Sequence, residues 1–289
     1  MLSSSFKDYI AQVLASPISK IERVSGGDIS KAYCVHTPMQ RFFLKVNESD
    51  FALEMFRAEK KGLENINLTK TIKAPKVVDC GQYESNSYLL MEFIESKNPT
   101  TKELEGLGYQ LADLHTFSVG DSFGWIQDNY IGSLTQSNKN HQDWALFYVT
   151  ERLLPQLNMA NEKGLMIPDD VPTESALLMG CRQLFPKVKP ALLHGDLWSG
   201  NYLISTQGVP YLIDPAVYFG HHEVDLAMTQ LFGGFSSDFY TAYAEQIPPE
   251  SLQYERKDIY QLYYLLVHLN LFGRSYYQSV IQLLKTYFN

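Results

Sequence analysis

Runs of positive charge are missing from this 289-residue chain: Lys and Arg never stand more than two in a row, and the formal net charge is −8. Nucleic acid is thereby a poor partner, because phosphate backbones are held by clustered basic surface. Long apolar runs are missing too. No stretch approaches the roughly 20 apolar residues that a membrane-spanning helix needs, and the opening "MLSSSFKDYIAQVLASPISK" lacks the apolar core of a secretory signal. Cysteine is scarce: Cys34, Cys80 and Cys181 lie far apart, are odd in number and show no C-x-x-C spacing. That argues against a disulfide framework and for a reducing compartment. The expectation is a soluble cytoplasmic protein, a monomer or weak homodimer, with neither nucleic acid nor membrane as a partner.

What the chain does have is apolar and aromatic side chains, 45% and 13% of its residues, enough for one large core or two modest ones. Phe6, Tyr9, Ile10, Val13 and Leu14 recur at helical spacing, with Pro17 expected to end that helix. Three strand-like runs follow, "ISKIERV", "KAYCVHT" and "RFFLKVN". A helix is expected in "ESDFALEMFRAEKKGLENI", then two more strands in "PKVVDCG" and "SYLLMEFI". From about Ser96 the pattern turns helical, through "TKELEGLGYQLADLHTF", "DWALFYVTERLLPQL" and "TESALLMGCRQLF" to "EVDLAMTQLF", "DFYTAYAEQ" and "LQYERKDIYQLYYLLVHLNLFG". The fold class is α+β. A small β-sheet lobe with one internal helix, residues 1–94, precedes a larger, mainly helical lobe, residues 95–289, the two joined near Glu92–Lys97.

Between the helices stands "LLHGDLWSGNYLI", which sets Asp196 and Asn201 on a tight loop between apolar runs. Asp214 follows Asn201 by thirteen residues, at the end of the apolar "YLI". A hairpin of that length brings its ends side by side, so an amide oxygen and a carboxylate can share one Mg²⁺, a hard cation that prefers oxygen. Asp196 is then free to accept a proton. This is the layout of phosphoryl transfer from ATP. An Asp-x4-Asn pair alone also suits an Asx turn capping a loop, and the second acid, Asp214, is what tilts the balance.

The first lobe offers the complement. Lys45 stands in the apolar strand "RFFLKV", on the same face as Phe43. A buried Lys needs a carboxylate, and the next helix supplies Glu54 and Glu59, of which Glu59 is favoured; the alternative is a solvent-facing Lys on an edge strand. Gly26 and Gly27, in "VSGGDISKAY", let backbone N–H groups approach phosphate oxygens, although Gly-Gly is also an ordinary hairpin turn. In "LLMEFIES" the backbone around Glu92 and Phe93 can meet an adenine, with Met91 lining the pocket or serving as plain core. "HHEVD" has the look of a metal cluster, but His221 and His222 are adjacent and point apart on a helix. Asp225 is better suited to capping a helix or bonding the backbone of the Asp196 loop.

Together these residues resemble the protein-kinase-like superfamily, and more closely its small-molecule branch. His194-Gly195-Asp196 stands for H-R-D and Ile213-Asp214-Pro215 for D-F-G, both as in the aminoglycoside and choline phosphotransferase group. Without the Arg of H-R-D or an A-P-E segment, activation-loop phosphorylation is not expected. The chain is further similar to the fructosamine kinase (ketosamine-3-kinase) family, through Trp198 in "HGDLWSGN", "FGWIQDNYIGSLTQSN", "DPAVYFGHHEVDLAMTQLFGGF" and the late "LVHLNLFG".

That resemblance implies a two-lobed kinase using ATP and Mg²⁺ to phosphorylate the C3 hydroxyl of a ketosamine, free or protein-bound, whose 3-phosphate then sheds the sugar. It implies Asp196 as base, Asn201 and Asp214 as metal ligands, and Lys45 with Glu59 ordering ATP. Trp198 and His268 would shape the sugar pocket. One departure is Asp28, where some members carry a Cys implicated in redox-dependent dimerisation; its absence implies that this switch is missing. A related kinase for aminoglycosides or choline, and a non-catalytic pseudokinase, remain the alternatives.

Overall fold

The computed structural model describes residues 2–24, 29–117 and 119–288. Gly26, Gly27 and Asp28 lie outside the described residues. The chain opens with α1 (Ser4–Val13), capped by the Ser3 side chain accepting from Phe6 N–H. Pro17 does not end this helix: Leu14 closes it and Ala15, at φ 47°, turns the chain away first. Strands β1 (Lys20–Arg23), β2 (Lys31–His36) and β3 (Arg41–Asn47), helix α2 (Ala52–Thr69), and strands β4 (Val77–Tyr83) and β5 (Asn86–Glu92) complete the first lobe. Its sheet is antiparallel throughout, in the order β1-β2-β3-β5-β4.

Alternation along β3 divides this lobe into two apolar layers. Phe42, Leu44 and Val46 join Tyr88, Leu90 and the α1 residues Phe6 and Ile10 in one core. Phe43 faces the other way, with Leu89, Met91 and the α2 residues Phe56, Leu63 and Ile66, in a core continuous with that of the second lobe. Lys45, register partner of Leu89, shares the Phe43 side of the strand. Strand parity therefore delivers one charged side chain into the seam between lobes.

The second lobe begins with β6 (Ser96–Lys97), which pairs not with the first sheet but with β10 (Tyr202–Ser205), beside β11 (Pro210–Leu212). Helix α3 (Thr101–Phe117) follows, then the hairpin β7 (Asn129–Ile131) and β8 (Leu134–Gln136). The run "DWALFYVTERLLPQL" is not one uniform helix. It consists of α4 (Trp144–Tyr148), a π-helical turn over Val149–Leu153, and α5 (Leu154–Glu162). After α6 (Glu174–Leu184) come β9 (Ala191–Leu193), β10, β11 and β12 (Tyr218–Gly220). The chain ends in α7 (Glu223–Leu231), α8 (Ser237–Gln246), α9 (Gln253–Phe272) and α10 (Tyr277–Tyr287). Among the described residues no helix is long and apolar enough to cross a membrane, and all three cysteines are free.

Two close approaches lock α2 and the loop after β9 to the segment between β11 and β12 that carries Asp214. A Cβ on Gly62 of α2 would come within 2.9 Å of the Pro215 ring, so the helix can seat there only as glycine. Gly195, at φ +84°, passes so close to Ala216 that a Cβ would fall 2.1 Å from its carbonyl oxygen. Both the left-handed backbone and the lack of space demand glycine at that position.

Candidate active site

The loop between β9 and β10 is held by its main chain. Asp225, fully buried in the first turn of α7, accepts from His194 N–H at Oδ2 (2.7 Å) and from Gly195 N–H at Oδ1 (2.9 Å). His115 of α3 donates to the same Oδ2 (3.1 Å), and Tyr243 bridges His115 to His222. Burial works against the Asp225 carboxylate, but His115 and the backbone donors outweigh it and hold its pKa below the usual value. The Tyr264 hydroxyl donates to the Gly195 carbonyl (2.9 Å), and Ala216 N–H donates to the His194 carbonyl (2.9 Å). His194 donates from Nε2 to the Ile213 carbonyl (2.9 Å) and accepts from Asp196 N–H at Nδ1 (3.3 Å). Burial lowers its pKa, so it is a neutral strut here.

On this scaffold Asp196 is half-buried, and the Asn201 side chain donates to both its carbonyl (2.8 Å) and its Oδ2 (3.3 Å). Burial, followed by the charges of Asp214 and Asp225, pushes its carboxyl up to about 7. A carboxylate with that pKa exchanges a proton readily near neutral pH. The hairpin β10–β11 closes as its length suggests: Tyr202 pairs with Leu212, and Ile213 N–H donates to the Asn201 carbonyl (3.0 Å). Asn201 and Asp214 thus flank the hairpin's open end.

Asp214 adopts φ 56°, a left-handed conformation that Asp tolerates better than most residues. Its Oδ1 accepts from Lys45 Nζ (2.6 Å), which also donates to Glu59 Oε1 (2.7 Å). The other candidate, Glu54, pairs instead with Arg57 at the surface. Lys45 is only 6% exposed. Burial works to lower its pKa, yet the Asp214 and Glu59 carboxylates more than offset this and hold the ammonium above its usual range. Burial raises Glu59 to about 7, against the pull of Lys45.

The residues present suit a hard divalent cation. With its Nδ2 turned to Asp196, Asn201 has an amide oxygen that accepts no hydrogen bond among the described residues, and Asp214 commits only Oδ1 to Lys45. An amide oxygen and a carboxylate oxygen are the donor types Mg²⁺ takes.

The remaining candidates are more dispersed. Trp198 is 36% exposed and folds over Gly200. His268 of α9 donates from Nδ1 to the Tyr264 carbonyl (2.8 Å) and packs among Phe232, Phe272 and Tyr276. Among the described residues no ring contact joins Trp198 and His268. They border the same segment, in which Phe232 lies against His268 and Gly234 against Ser199, next to Trp198. Met91 is packed in the interlobe core. Glu92 N–H is already spent on the Lys76 carbonyl (2.9 Å), so that donor is not free for a base. Phe93 lies under the Arg41 guanidinium.

The "HHEVD" side chains serve the interior. His221 meets the Tyr260 hydroxyl, Glu223 takes a two-pronged contact from Arg256, and no group of three His, Cys, Asp or Glu among the described residues could hold a metal. His115, Tyr264, Asn129 and Gln136 also bear on the site and were not singled out from sequence. Their signal was a polar residue inside an otherwise apolar helix or a short Asn/Gln-rich segment.

The fructosamine kinase family model matches residues 2–289. The chain belongs to the fructosamine kinase family. A probable ketoamine kinase from Synechocystis sp. (strain ATCC 27184 / PCC 6803 / Kazusa) is 41% identical over 280 residues, 96% of this chain and 93% of the relative. The chloroplastic protein-ribulosamine 3-kinase of Arabidopsis thaliana is 37% identical over 279 residues, 94% of this chain and 84% of that protein. Among solved structures, a fructosamine-3-kinase candidate from Haemophilus somnus 129PT superposes with TM-score 0.88 at 28% identity, covering 98% of this chain and 97% of the other. An aminoglycoside phosphotransferase shares the fold, at TM-score 0.63 and 14% identity over 97% of this chain and 98% of the other. The two lobes are those of the protein-kinase-like fold.

Proposed function

We propose that this member of the fructosamine kinase family is an ATP-dependent kinase that phosphorylates the 3-hydroxyl of a ketosamine, a ribulosamine or fructosamine, and so leads to deglycation. The observation that carries the reading is the convergence of Asp196, Asn201, Asp214 and the Lys45–Glu59 pair, drawn from both lobes, in a chain whose relatives are named ketoamine and ribulosamine kinases.

In this reading residues 1–94 hold the nucleotide and residues 95–289 carry the catalytic loop and acceptor pocket. Asp196 takes the proton of the substrate hydroxyl as its oxygen attacks the γ-phosphorus of ATP, and ADP leaves with the electron pair of the broken P–O bond. Its raised pKa supports that role. Lys45, fixed by Glu59, orients the α- and β-phosphates. Met91 and the backbone around Glu92 and Phe93 would border the adenine, the Glu92 N–H being already bonded to Lys76. Asn201 and Asp214 would hold Mg²⁺, which offsets charge on the transferring phosphoryl group. Trp198 and His268 border the sugar. The 3-phosphate product then loses inorganic phosphate by β-elimination, and water hydrolyses the remaining carbon–nitrogen linkage, releasing the amine and a 3-deoxy dicarbonyl.

The test is Mg²⁺-dependent ADP release with ribuloselysine, fructoselysine, choline and kanamycin side by side. Turnover with one of the ketosamines is expected. Activity confined to kanamycin or choline would overturn the acceptor, and no ATP turnover with any of them would overturn the kinase reading.

A further inference from the structure

Arg152 is 0% exposed, lies on the π-helical turn, and makes no ion pair among the described residues. A buried guanidinium without a carboxylate is costly. It is held by carbonyl-type oxygens alone: Ser137 O (2.5 Å), Glu151 O (2.9 Å) and Asn138 Oδ1 (2.7 Å). The faces of Tyr218, Phe147 and Tyr263 surround it.

Arginine has donors and no acceptor, so it fixes the polarity of every hydrogen bond beyond it. Because Asn138 Oδ1 must accept from Arg152, its Nδ2 is left to donate to Asn129 Oδ1 (3.0 Å). A second chain arrives from α9. The Tyr263 hydroxyl donates to Gln136 Oε1 (2.5 Å), and Gln136 Nε2 donates to the same Asn129 Oδ1 (2.7 Å), with the Ala216 carbonyl at 3.5 Å. With its oxygen doubly occupied, Asn129 can present only Nδ2 outward, and it donates to the Val217 carbonyl (2.8 Å). Ala216 and Val217 leave the left-handed Asp214, and Ala216 is the residue that bonds His194 and abuts Gly195.

We propose that Asn129, oriented by Arg152 through Asn138 and by Tyr263 through Gln136, is a positioning residue for Asp214: it anchors the backbone leaving that carboxylate and sets its aim toward a divalent cation shared with Asn201. The inference rests on the kinase reading above. Residues that orient a metal ligand without touching the metal are typically worth about 10–100-fold in metal affinity.

The decisive variant is Asn129→Asp, which keeps the shape and exchanges the NH₂ that faces the Val217 carbonyl for an oxygen. That oxygen is repulsive there once the carboxyl is ionised, so binding is read in mildly alkaline buffer. Binding of a non-hydrolysable ATP analogue is measured by calorimetry with Mg²⁺ and with EDTA, alongside Tm. In the wild type Mg²⁺ should tighten binding. In Asn129→Asp that gain should shrink by about 10-fold or more, with EDTA affinity unchanged. Tyr263→Phe, which removes only the hydroxyl that orients Gln136, should move the same quantity in the same direction by less, and keeps the test open should Asn129→Asp not fold. A lowered Tm with an undiminished Mg²⁺ gain in both variants makes the network structural only and overturns the inference. A wild type whose nucleotide binding ignores Mg²⁺ overturns the kinase reading itself.

Discussion

Lys45 Nζ lies 2.6 Å from Asp214 Oδ1, a contact between residues 169 positions apart that ties the sheet lobe to the helical lobe. The same ammonium contacts Glu59 at 2.7 Å, so one cation neutralises carboxylates from α2 and from the segment that follows β11. Buried ion pairs of this kind cost stability when one partner is removed, about 3–5 kcal/mol, because the other charge is stranded.

Lys45→Met should therefore do two things. Nucleotide affinity should fall at least tenfold, and Tm should drop. The drop has a pH signature. Burial already raises Glu59 to about 7, and without the ammonium it rises further. An acid whose folded pKa exceeds its unfolded one stabilises most below the unfolded value, and that stability is lost as pH climbs through the folded value. The Tm deficit against wild type should thus be smaller near pH 5, where the lost Asp214 contact dominates, and grow toward pH 8. Thermal melts across that range read it directly, and a deficit independent of pH would contradict the ion-pair account.

Asp196→Asn separates chemistry from stability. As general base and positioning group, Asp196 should contribute about 10²–10⁴-fold to turnover, so the amide should lose that much in kcat while still binding ATP. Stability should move the opposite way. The carboxyl rises from 3.8 to about 7 on folding, which means that the folded wild type loses stability as pH climbs through that window. The Asn variant does not, and it should melt several degrees above wild type at pH 8 and near it at pH 4.5. Near-normal kcat in this variant would falsify the catalytic assignment.

The pH–rate profile carries a third expectation. With the carboxyl near 7, kcat/KM should climb with pH along a limb centred about there when Mg²⁺ is scarce. Part of the rise comes from the Asp214 charge, and a cation between Asn201 and Asp214 offsets that charge. Raising Mg²⁺ to saturation should slide the limb toward lower pH. A limb that stays in place, or moves upward, would remove Asp196 or the metal pair from the mechanism.

Strand parity explains why the Lys45–Glu59 pair could be read from sequence: Lys45 shares a face with Phe43, and Glu59 rather than Glu54 turns toward that face, as the outward Glu54–Arg57 contact bears out. The β10–β11 hairpin was legible from its loop length and apolar flanks. The hairpin Asn129–Gln136 was not, because three-residue strands carrying Asn and Gln look like a surface loop until Arg152 and Tyr263 bury them. Nor was the π-helical turn at Val149–Leu153, since one extra residue in a helix hardly disturbs an apolar period. Polar residues whose purpose is to satisfy another polar residue leave little local signature.

Asp225 extends that point to a last prediction. Its two oxygens receive three N–H donors, from His194, Gly195 and His115, in a fully buried setting. Asparagine has one acceptor oxygen, so Asp225→Asn must turn an NH₂ toward at least one donor. A buried donor left unsatisfied costs about 1–3 kcal/mol, and Tm should fall by several degrees. The unpaired N–H belongs to the backbone that carries Asp196, so kcat should fall about 10–100-fold by analogy with other residues that orient a site from behind. The KM for ATP should stay near wild type, because Lys45 and Glu59 are untouched. A variant that loses stability yet keeps kcat would show that Asp225 supports the fold without setting the aim of Asp196.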